Sequence, residues 1–371
     1  MKANVQRPIV IAAGGTGGHF FPAEALAAAL LAQGERVVLM TDARSGGLAS
    51  PVFAECERHV IAGAGLSGRS FKRALDGAWA LARGVAQARK ILQDLHPAAV
   101  VAFGGYPAVP PVLAAKLLRR RPKILLHEQN AVLGRANRLL ARICDVLVLS
   151  FEKTTSIPAG VRTELLGNPV RPAIAGLHGG PYAPPTNTIN LLVTGGSLGA
   201  KIFGTLIPQA LAGLPPPLRA RLRVTQQCRA QEQDEAAKIF AEAGITAVTS
   251  PFFSDMAERL QQAHLVIARA GASTVAEIAV VGRPAIFIPL PGAIDDHQRA
   301  NADALAQTGG GWRMDQAGLT PEKLATKIES VLMNSETLAS AANAAAAAGR
   351  ADAASRLAGI VQTITLEGAA S

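Results

Sequence analysis

Residues 9–19 read IVIAAGGTGGH, and residues 187–200 read NTINLLVTGGSLGA. Each is a short β-branched run that ends in a glycine cluster and leads into an apolar, Ala/Leu-rich segment of helical length. A run of this kind is too short for a buried helix and suits a buried parallel strand. The glycines allow a tight turn and close approach of backbone to a ligand, and the helix that follows points its N-terminus at that turn. The two clusters begin at Gly14 and Gly195, 181 residues apart.

Around the first cluster, strands are expected at Ile9–Ala13, Arg36–Thr41, Ala98–Phe103, Lys123–His127 and Asp145–Leu149. Helical patterns fall between them at Pro22–Gln33, Phe71–Leu92 and Pro111–Arg120. After the second, strands are expected at Asn187–Thr194, Arg221–Gln226, Ala247–Thr249, Leu265–Ala268 and Ala285–Ile288. Strands alternating with helices predict an α/β fold with parallel sheets. Two such halves predict two Rossmann-like domains facing a central cleft. The Gly- and Pro-rich stretch Leu177–Thr188 reads as a linker. The Ala-rich tail, Ser335–Thr363, reads as helical. The expected division is 1–171 and 172–345, with a terminal helix of about 346–366 packing back on the first domain.

Composition narrows the function. The chain has 371 residues, 49% hydrophobic and 17% charged, with a net charge of +10. Residues 1–171 hold 22 basic and 11 acidic side chains, and the remainder hold 15 and 16, so the whole excess lies in the first half. Nucleic acid, an anionic membrane surface, a phosphorylated substrate and plain solubility all suit a basic half. Fifteen scattered aromatics give no stacking platform, and no zinc-finger or RNA-binding motif occurs, which argues against nucleic acid. Cys56, Cys144 and Cys228 have no metal-ligand spacing and suit a reducing compartment. Lys2 and Arg7 precede too short an apolar run for a signal peptide. The apolar stretch Ala98–Ala115 is broken by Gly104, Gly105 and three prolines, so any membrane contact is expected to be peripheral.

Six motifs could carry chemistry. The first loop, Gly14–His19, is neither a dinucleotide fingerprint, since Phe20 stands at the third glycine position, nor a P-loop, which needs Gly-Lys-Ser/Thr. His19 is either a helix-capping imidazole or a general base, because imidazole titrates near neutrality. In the second loop, Ser197 could bond a phosphate or simply close a turn. Asn168-Pro169 restricts the approach to Arg171, whose planar fork suits a diphosphate. His127-Glu128-Gln129-Asn130 ends an apolar strand, where doubly wound sheets place ligands. In Gly271–Glu277, Thr274 and Glu277 have capping-box spacing. Alternatively, Glu277 accepts from sugar hydroxyls while Ala272, Ser273, Thr274 and Val275 approach a base and ribose. Asp295-Asp296-His297 has no partner ligands at metal spacing, and Gln298 suits a donor to sugar hydroxyls.

The ordered set Gly14–His19, His127–Asn130, Asn168–Arg171, Gly195–Ala200, Gly271–Glu277 and Asp295–Asn301 resembles the bacterial undecaprenyl-diphospho-muramoylpentapeptide β-N-acetylglucosaminyltransferases, over nearly the whole chain. That resemblance implies a GT-B fold and inverting transfer of N-acetylglucosamine from UDP-N-acetylglucosamine to the C4 hydroxyl of lipid I, giving lipid II for peptidoglycan. It implies neither cofactor nor metal. Thr16, Gly17 and Gly18 would border the pyrophosphate region, Asn130 the sugar, and Arg171 and Ser197 the diphosphate. Phe253 would meet uracil through its backbone. Ala272–Val275 would line the uridine and α-phosphate, with Ala276 also among the substrate-binding residues, Glu277 on the ribose and Gln298 on the sugar. Leu198 stands where Gln is common, and His297 where some members have a second Gln. His19 is the expected base, with Glu128 its rival. Another GT-B glycosyltransferase, or a UDP-N-acetylglucosamine epimerase, is the alternative.

A lipid acceptor implies docking on the cytoplasmic side of the cell inner membrane, near the cell-wall and division machinery. On a helical wheel Phe71, Leu75, Ala78, Ala82 and Val85 form one face, while Lys72, Trp79, Arg83 and Lys90 form a basic stripe around a Trp. Such a stripe suits anionic headgroups, or else a solvated face on a core helix. Lys116, Arg119, Arg120, Arg121 and Lys123 form a second basic cluster.

Overall fold

The computed structural model describes residues 6–15, 17–43, 50–62, 71–196 and 199–367, without the side chains of 71–75. The chain divides into two compact units, Met1–Pro172 with Asp352–Ser371, and Ala173–Ala351.

The first unit is built on seven parallel strands, β1 (Ile9–Ala12), β2 (Val37–Thr41), β3 (Glu57–Val60), β4 (Ala99–Ala102), β5 (Lys123–Glu128), β6 (Val146–Leu149) and β7 (Thr163–Leu165), in the order β3-β2-β1-β4-β5-β6-β7. Side chains alternate between two cores because a strand has period two. Ile9, Ile11 and Ala13 join Phe20, Leu26, Leu30, Leu357 and Val361 on one face. Val10 and Ala12 join Ala88, Leu92, Val112 and Leu140 on the other. With both faces covered, the central strands β1, β4 and β6 carry no solvent-facing positions, hence their unbroken apolar sequence.

The second unit repeats the plan with β8 (Ile189–Thr194), β9 (Leu222–Gln227), β10 (Thr246–Ser250), β11 (Leu265–Ala268), β12 (Ala285–Phe287) and β13 (Gly311–Arg313), all parallel, in the order β10-β9-β8-β11-β12-β13. Strand order reverses between β1 and β4 and between β8 and β11. In each unit, the glycine loop leaves the carboxyl end of a strand at this switch point, β1 in the first and β8 in the second, the place where open parallel sheets bind ligands.

Three strands escape the sequence pattern. Glu57–Val60, Thr163–Leu165 and Gly311–Arg313 lie at sheet edges, where one side is unpaired and an apolar run is not required. The first helix begins at Gly17 and not at Pro22, so the proline lies inside it. Burial of Phe20 and Ala23 overrides the local cost of glycine and proline there. The helix starting at Val109 ends at Lys116, which leaves Arg119–Arg121 outside it. The Ala-rich tail is two helices, Ser335–Ala348 in the second unit and Ala353–Glu367 in the first.

The Phe71–Leu95 helix also differs from the expected wheel. Gly84, Ala88 and Leu92 are buried, with Leu81, Val85, Ile91 and Leu95 packed beside them, whereas Ala78 and Ala82 are exposed. The buried stripe is set by close packing at Gly84, where a Cβ would lie 2.5 Å from the Ala62 carbonyl oxygen.

Leu357, on the returning Ala353–Glu367 helix, is fully buried in the first unit's core. Leu357→Ala is expected to destabilise that unit by about 3 kcal/mol, measured by denaturant titration followed by circular dichroism.

Candidate active site

In the first unit, β1 delivers the chain to Gly14 and Gly15, and the Gly15 N–H donates to Asp42 Oδ1 at the end of β2 (3.2 Å). Gly17, Gly18 and His19 then form the first helical turn, where backbone N–H groups have no partner within the helix. His19 is half-buried, and its Nδ1 lies 3.0 Å from Gln129 Oε1. The imidazole edge lies against Gly105: a Cβ there would come within 3.3 Å of Cδ2 and 3.4 Å of Nε2, and the residue has φ +69°. The left-handed φ favours glycine at 105, and a Cβ there would also press on the imidazole.

The end of β5 supplies the other half of this cluster. Glu128 is buried, and its carboxylate accepts four N–H bonds. Oε1 takes the backbone and side-chain N–H of Asn130 (both 3.0 Å), and Oε2 takes the Gly134 backbone (2.9 Å) and Asn137 Nδ2 (2.9 Å). A carboxylate so occupied has its lone pairs directed at the protein. Glu128 therefore braces the 128–137 loop and holds Asn130 in place. Arg171 sits at the end of this unit with its guanidinium 5.2 Å from the Phe21 ring, on the helix that carries His19. Thr16 lies outside the described residues.

His127 and Gln129, which belong to the His127–Asn130 motif but to which the sequence assigns no role of their own, complete the cluster. His127 is fully buried against Phe103 (5.2 Å between rings), with Nε2 3.1 Å from the Gly167 carbonyl oxygen and Nδ1 3.1 Å from Gln129 Nε2. Burial pushes its pKa down to about 4; the Gly167 carbonyl opposes this and the nearby His19 adds to it. The signal was present in the four polar residues closing an apolar strand, but nothing local says which of them faces inward.

In the second unit, β8 ends at Thr194, whose hydroxyl donates to Gln227 Oε1 (2.7 Å) and accepts from the Gly196 N–H (3.3 Å). The loop folds tightly on itself, since a Cβ on Gly195 would lie 2.4 Å from the Ala200 nitrogen. Ser197 and Leu198 lie outside the described residues. The helix after β11 spans Ala272–Val281 with Gly271 as N-cap, so Thr274 lies inside it and does not form the capping box with Glu277. Ser273, Thr274, Ala276 and Glu277 are half-exposed, while Ala272 and Val275 are buried. Ser273 and Glu277 are four apart and share a helical face. Phe253, just beyond β10, is buried under the Arg259 guanidinium at 4.1 Å.

Two buried side chains tie these loops together. Asn301 Nδ2 donates to the Ala270 carbonyl (3.1 Å), joining the helix that begins at His297 to the turn after β11. Arg269 Nη1 donates to the carbonyls of Ile288 and Pro289 (both 2.9 Å), and Nη2 to Gln316 Oε1 (2.7 Å). Burial lowers its pKa to about 10, so it stays charged at neutral pH. A lone arginine ending the run LVIA was the legible sign of this clamp. Gln298 accepts from the Leu290 N–H through Oε1 (3.0 Å), which directs its amide NH2 elsewhere. Asp295 and Asp296 both adopt left-handed φ, +54° and +53°, a strained turn of the kind found at ligand sites. Asp296 pairs with Arg299 (3.0 Å) and His297 Nδ1 bonds the Ile294 carbonyl (2.7 Å). Among the described residues, no group of three or more His, Cys, Asp or Glu could hold a metal ion.

Every described candidate therefore lies on a loop or helix start at the carboxyl edge of its sheet. The chain matches the glycosyltransferase family 28 N-terminal domain over residues 9–148 and the glycosyltransferase family 28 C-terminal domain over 190–357. It belongs to glycosyltransferase family 28. It is 57% identical over 97% of its length to a relative from Granulibacter bethesdensis, covering 94% of that protein. A relative from Acidiphilium cryptum is 58% identical, with 99% of each chain covered. Both are named UDP-N-acetylglucosamine–N-acetylmuramyl-(pentapeptide) pyrophosphoryl-undecaprenol N-acetylglucosamine transferase. Among solved structures, Acinetobacter baumannii MurG aligns with a TM-score of 0.77 at 32% identity, over 96% of this chain and 99% of that one. The chain is thus a family 28 glycosyltransferase of the GT-B class, an enzyme.

Because His127 is held neutral, the unfolded chain, with an imidazole pKa of about 6.5, binds more protons than the folded one below neutrality. The sign is that stability falls as pH falls from about 6.5 toward 4. Denaturant titrations at about pH 7 and pH 5 are expected to differ by roughly 2 kcal/mol from this residue, and His127→Asn to shrink that difference.

Proposed function

We propose that this family 28 enzyme transfers N-acetylglucosamine from UDP-N-acetylglucosamine to the C4 hydroxyl of the muramoyl sugar of undecaprenyl-pyrophosphoryl-MurNAc-pentapeptide, forming the lipid-linked disaccharide of peptidoglycan. The names of its relatives support the substrates, and the arrangement at the two switch points supports the chemistry. The observation that carries the mechanism is the pairing of His19 and Glu128. Both are near the first glycine loop, but the carboxylate is filled by four N–H donors and the imidazole keeps one nitrogen unbonded among the described residues.

In this reading, His19 removes the proton of the C4 hydroxyl as its oxygen attacks the anomeric carbon. The bond from that carbon to the diphosphate breaks on the opposite face, and UDP leaves with the electron pair. Inversion follows from the single in-line displacement. Glycine-loop helix starts and Arg171 offset the negative charge that develops on the diphosphate. Thr16, Gly17, Gly18 and Ser197 border the phosphates, and Asn130, held by Glu128, contacts the sugar. Ala272–Ala276 and Phe253 enclose the uridine. Glu277 accepts from the ribose hydroxyls, and the Gln298 amide donates to N-acetylglucosamine.

The acceptor's lipid requires a membrane-docking surface, and we assign it to the Phe71–Leu95 helix of the first unit. Phe71 and Lys72 lie on that helix, with side chains outside the described set. Trp79 is 68% exposed, unusual for a side chain of that size, and Arg83 and Lys90 are exposed on the same helix. Lys116, Arg119 and Arg120 are exposed nearby in sequence, while Arg121 is engaged with Asp145 (3.4 Å). No helix among the described residues is long and apolar enough to cross a membrane. With a lipid-linked acceptor as substrate, the location we propose is peripheral, on the cytoplasmic face of the inner membrane beside the cell-wall and division machinery.

UDP release from UDP-N-acetylglucosamine is expected only when a lipid I analogue is present; release without acceptor would instead identify an epimerase-like reaction. His19→Ala is expected to lower kcat by about 10²- to 10⁴-fold, the usual range for a general base, and near-normal turnover would remove it from that role. Arg83→Ala with Lys90→Ala is expected to weaken binding to anionic vesicles by about 30-fold, at roughly 1 kcal/mol per charge. Unchanged co-sedimentation would place docking elsewhere.

A further inference from the structure

We propose that Gln129 is a positioning residue that fixes which nitrogen of His19 carries the proton, leaving the Nε2 lone pair as the base, and that His127 orients Gln129 for this task. The proposal rests on His19 as the base and adds what sets its tautomer.

The argument starts from a main-chain carbonyl. The oxygen of Gly167 can only accept, so His127 Nε2, 3.1 Å away, must carry a hydrogen. His127 is wholly buried and neutral, so its Nδ1 holds a lone pair. The Gln129 group 3.1 Å from that nitrogen must then be the amide NH2. The same NH2 lies 3.2 Å from the His127 carbonyl oxygen, a second acceptor that requires the same orientation. Two independent acceptors therefore define the NH2 end of the amide. The carbonyl end, Oε1, is left facing His19 Nδ1 at 3.0 Å. Since Oε1 only accepts, Nδ1 carries the hydrogen of a neutral imidazole, and Nε2 carries the lone pair.

The surroundings of Nε2 fit the same assignment. It makes no hydrogen bond among the described residues, and the ring edge that bears it lies against Gly105, where any side chain would crowd it. The proton taken from the acceptor hydroxyl would enter at Nε2, leaving the Nδ1–H bond to Gln129 in place throughout. A carboxylate could orient the ring equally well, but Glu128, the neighbour that could have served, is turned into its own loop. The chain Gly167–His127–Gln129–His19 thus orients a base through neutral groups only, anchored on the backbone.

The test uses the full-length enzyme labelled with ¹⁵N-histidine, with His19 resonances identified by their loss in His19→Gln. At alkaline pH, where imidazoles are neutral, the wild type is expected to show a protonated Nδ1 and an unprotonated Nε2 at His19. Gln129→Met keeps the side-chain volume but removes the acceptor. It is expected to abolish that preference and to lower kcat by about tenfold or more, with KM for UDP-N-acetylglucosamine changed by less than about twofold. Gln129→Glu restores an acceptor toward Nδ1 and is expected to restore the His19 signature. An unchanged tautomer in Gln129→Met overturns the proposal, as does a changed tautomer with kcat within about twofold of wild type. The tautomer is read without turnover, so failure of His19 as base would show separately in the His19→Ala kinetics.

Discussion

Parallel strands cannot be joined by tight hairpins; each must return through a crossover, and in this chain nearly every crossover contains a helix packed on one face of a sheet. That constraint organises both units. It buries both faces of the central strands, which makes β1, β4, β6 and β11 apolar from end to end. It also sends all strands of a sheet in one direction, so that every loop leaving a carboxyl end gathers at the same edge. Where the order reverses, the loops diverge and a crevice opens. The glycine loops after β1 and β8, the 127–137 segment after β5 and the helix start after β11 all emerge at such edges.

Within the edges, the polar groups are arranged in two different ways. Glu128 and Arg269 are buried charges that spend themselves on the protein. One gathers four N–H donors, and the other spans two carbonyls and an amide. Burying such groups is unfavourable unless their bonds are satisfied, so each fixes its surrounding loop in one conformation. His19, Ser273, Thr274, Glu277 and Gln298 are half-exposed, and His19 meets the segment braced by Glu128 through Gln129. Rigid support below and accessible groups above is the arrangement that catalytic preorganisation requires.

The charge of the chain also divides between these tasks. The second unit, whose described loops suit a nucleotide sugar, comes from the half with no basic excess. A nucleotide needs a few oriented donors and helix starts, not bulk positive charge. The surplus of the first half is displayed at positions such as Arg83, Lys90, Lys116, Arg119 and Arg120, all solvent-exposed. Exposed charges contribute little to stability, and two of these, Arg83 and Lys90, share a helix with the exposed Trp79, the helix proposed above for docking.

The inner strands, the two glycine turns and the helices that follow could be read from the sequence because each is a local pattern. Period, β-branching and glycine placement act within a dozen residues. The same locality explains the misreadings. Edge strands such as Glu57–Val60 lack an apolar signature, Pro22 reads as a helix start although packing carries the helix back to Gly17, and the Thr274–Glu277 spacing mimics a cap. The wheel of the Phe71–Leu95 helix failed because alanine suits either face, and only the close approach at Gly84 decides which one is buried.

The candidate site divides along the same line. The sequence by itself determined which residues reach the carboxyl edges, since position along a strand is a local property. It could not determine that Glu128 turns inward while His19 keeps a nitrogen unbonded. Nor could it show that the carbonyl of Gly167 reaches His19 through His127 and Gln129. The Glu128 bonds are short in sequence, 2 to 9 positions, but need the 128–137 loop in its folded conformation. The two outer links of the chain, Gly167 to His127 and Gln129 to His19, span 40 and 110 positions and exist only once the sheet has brought them together.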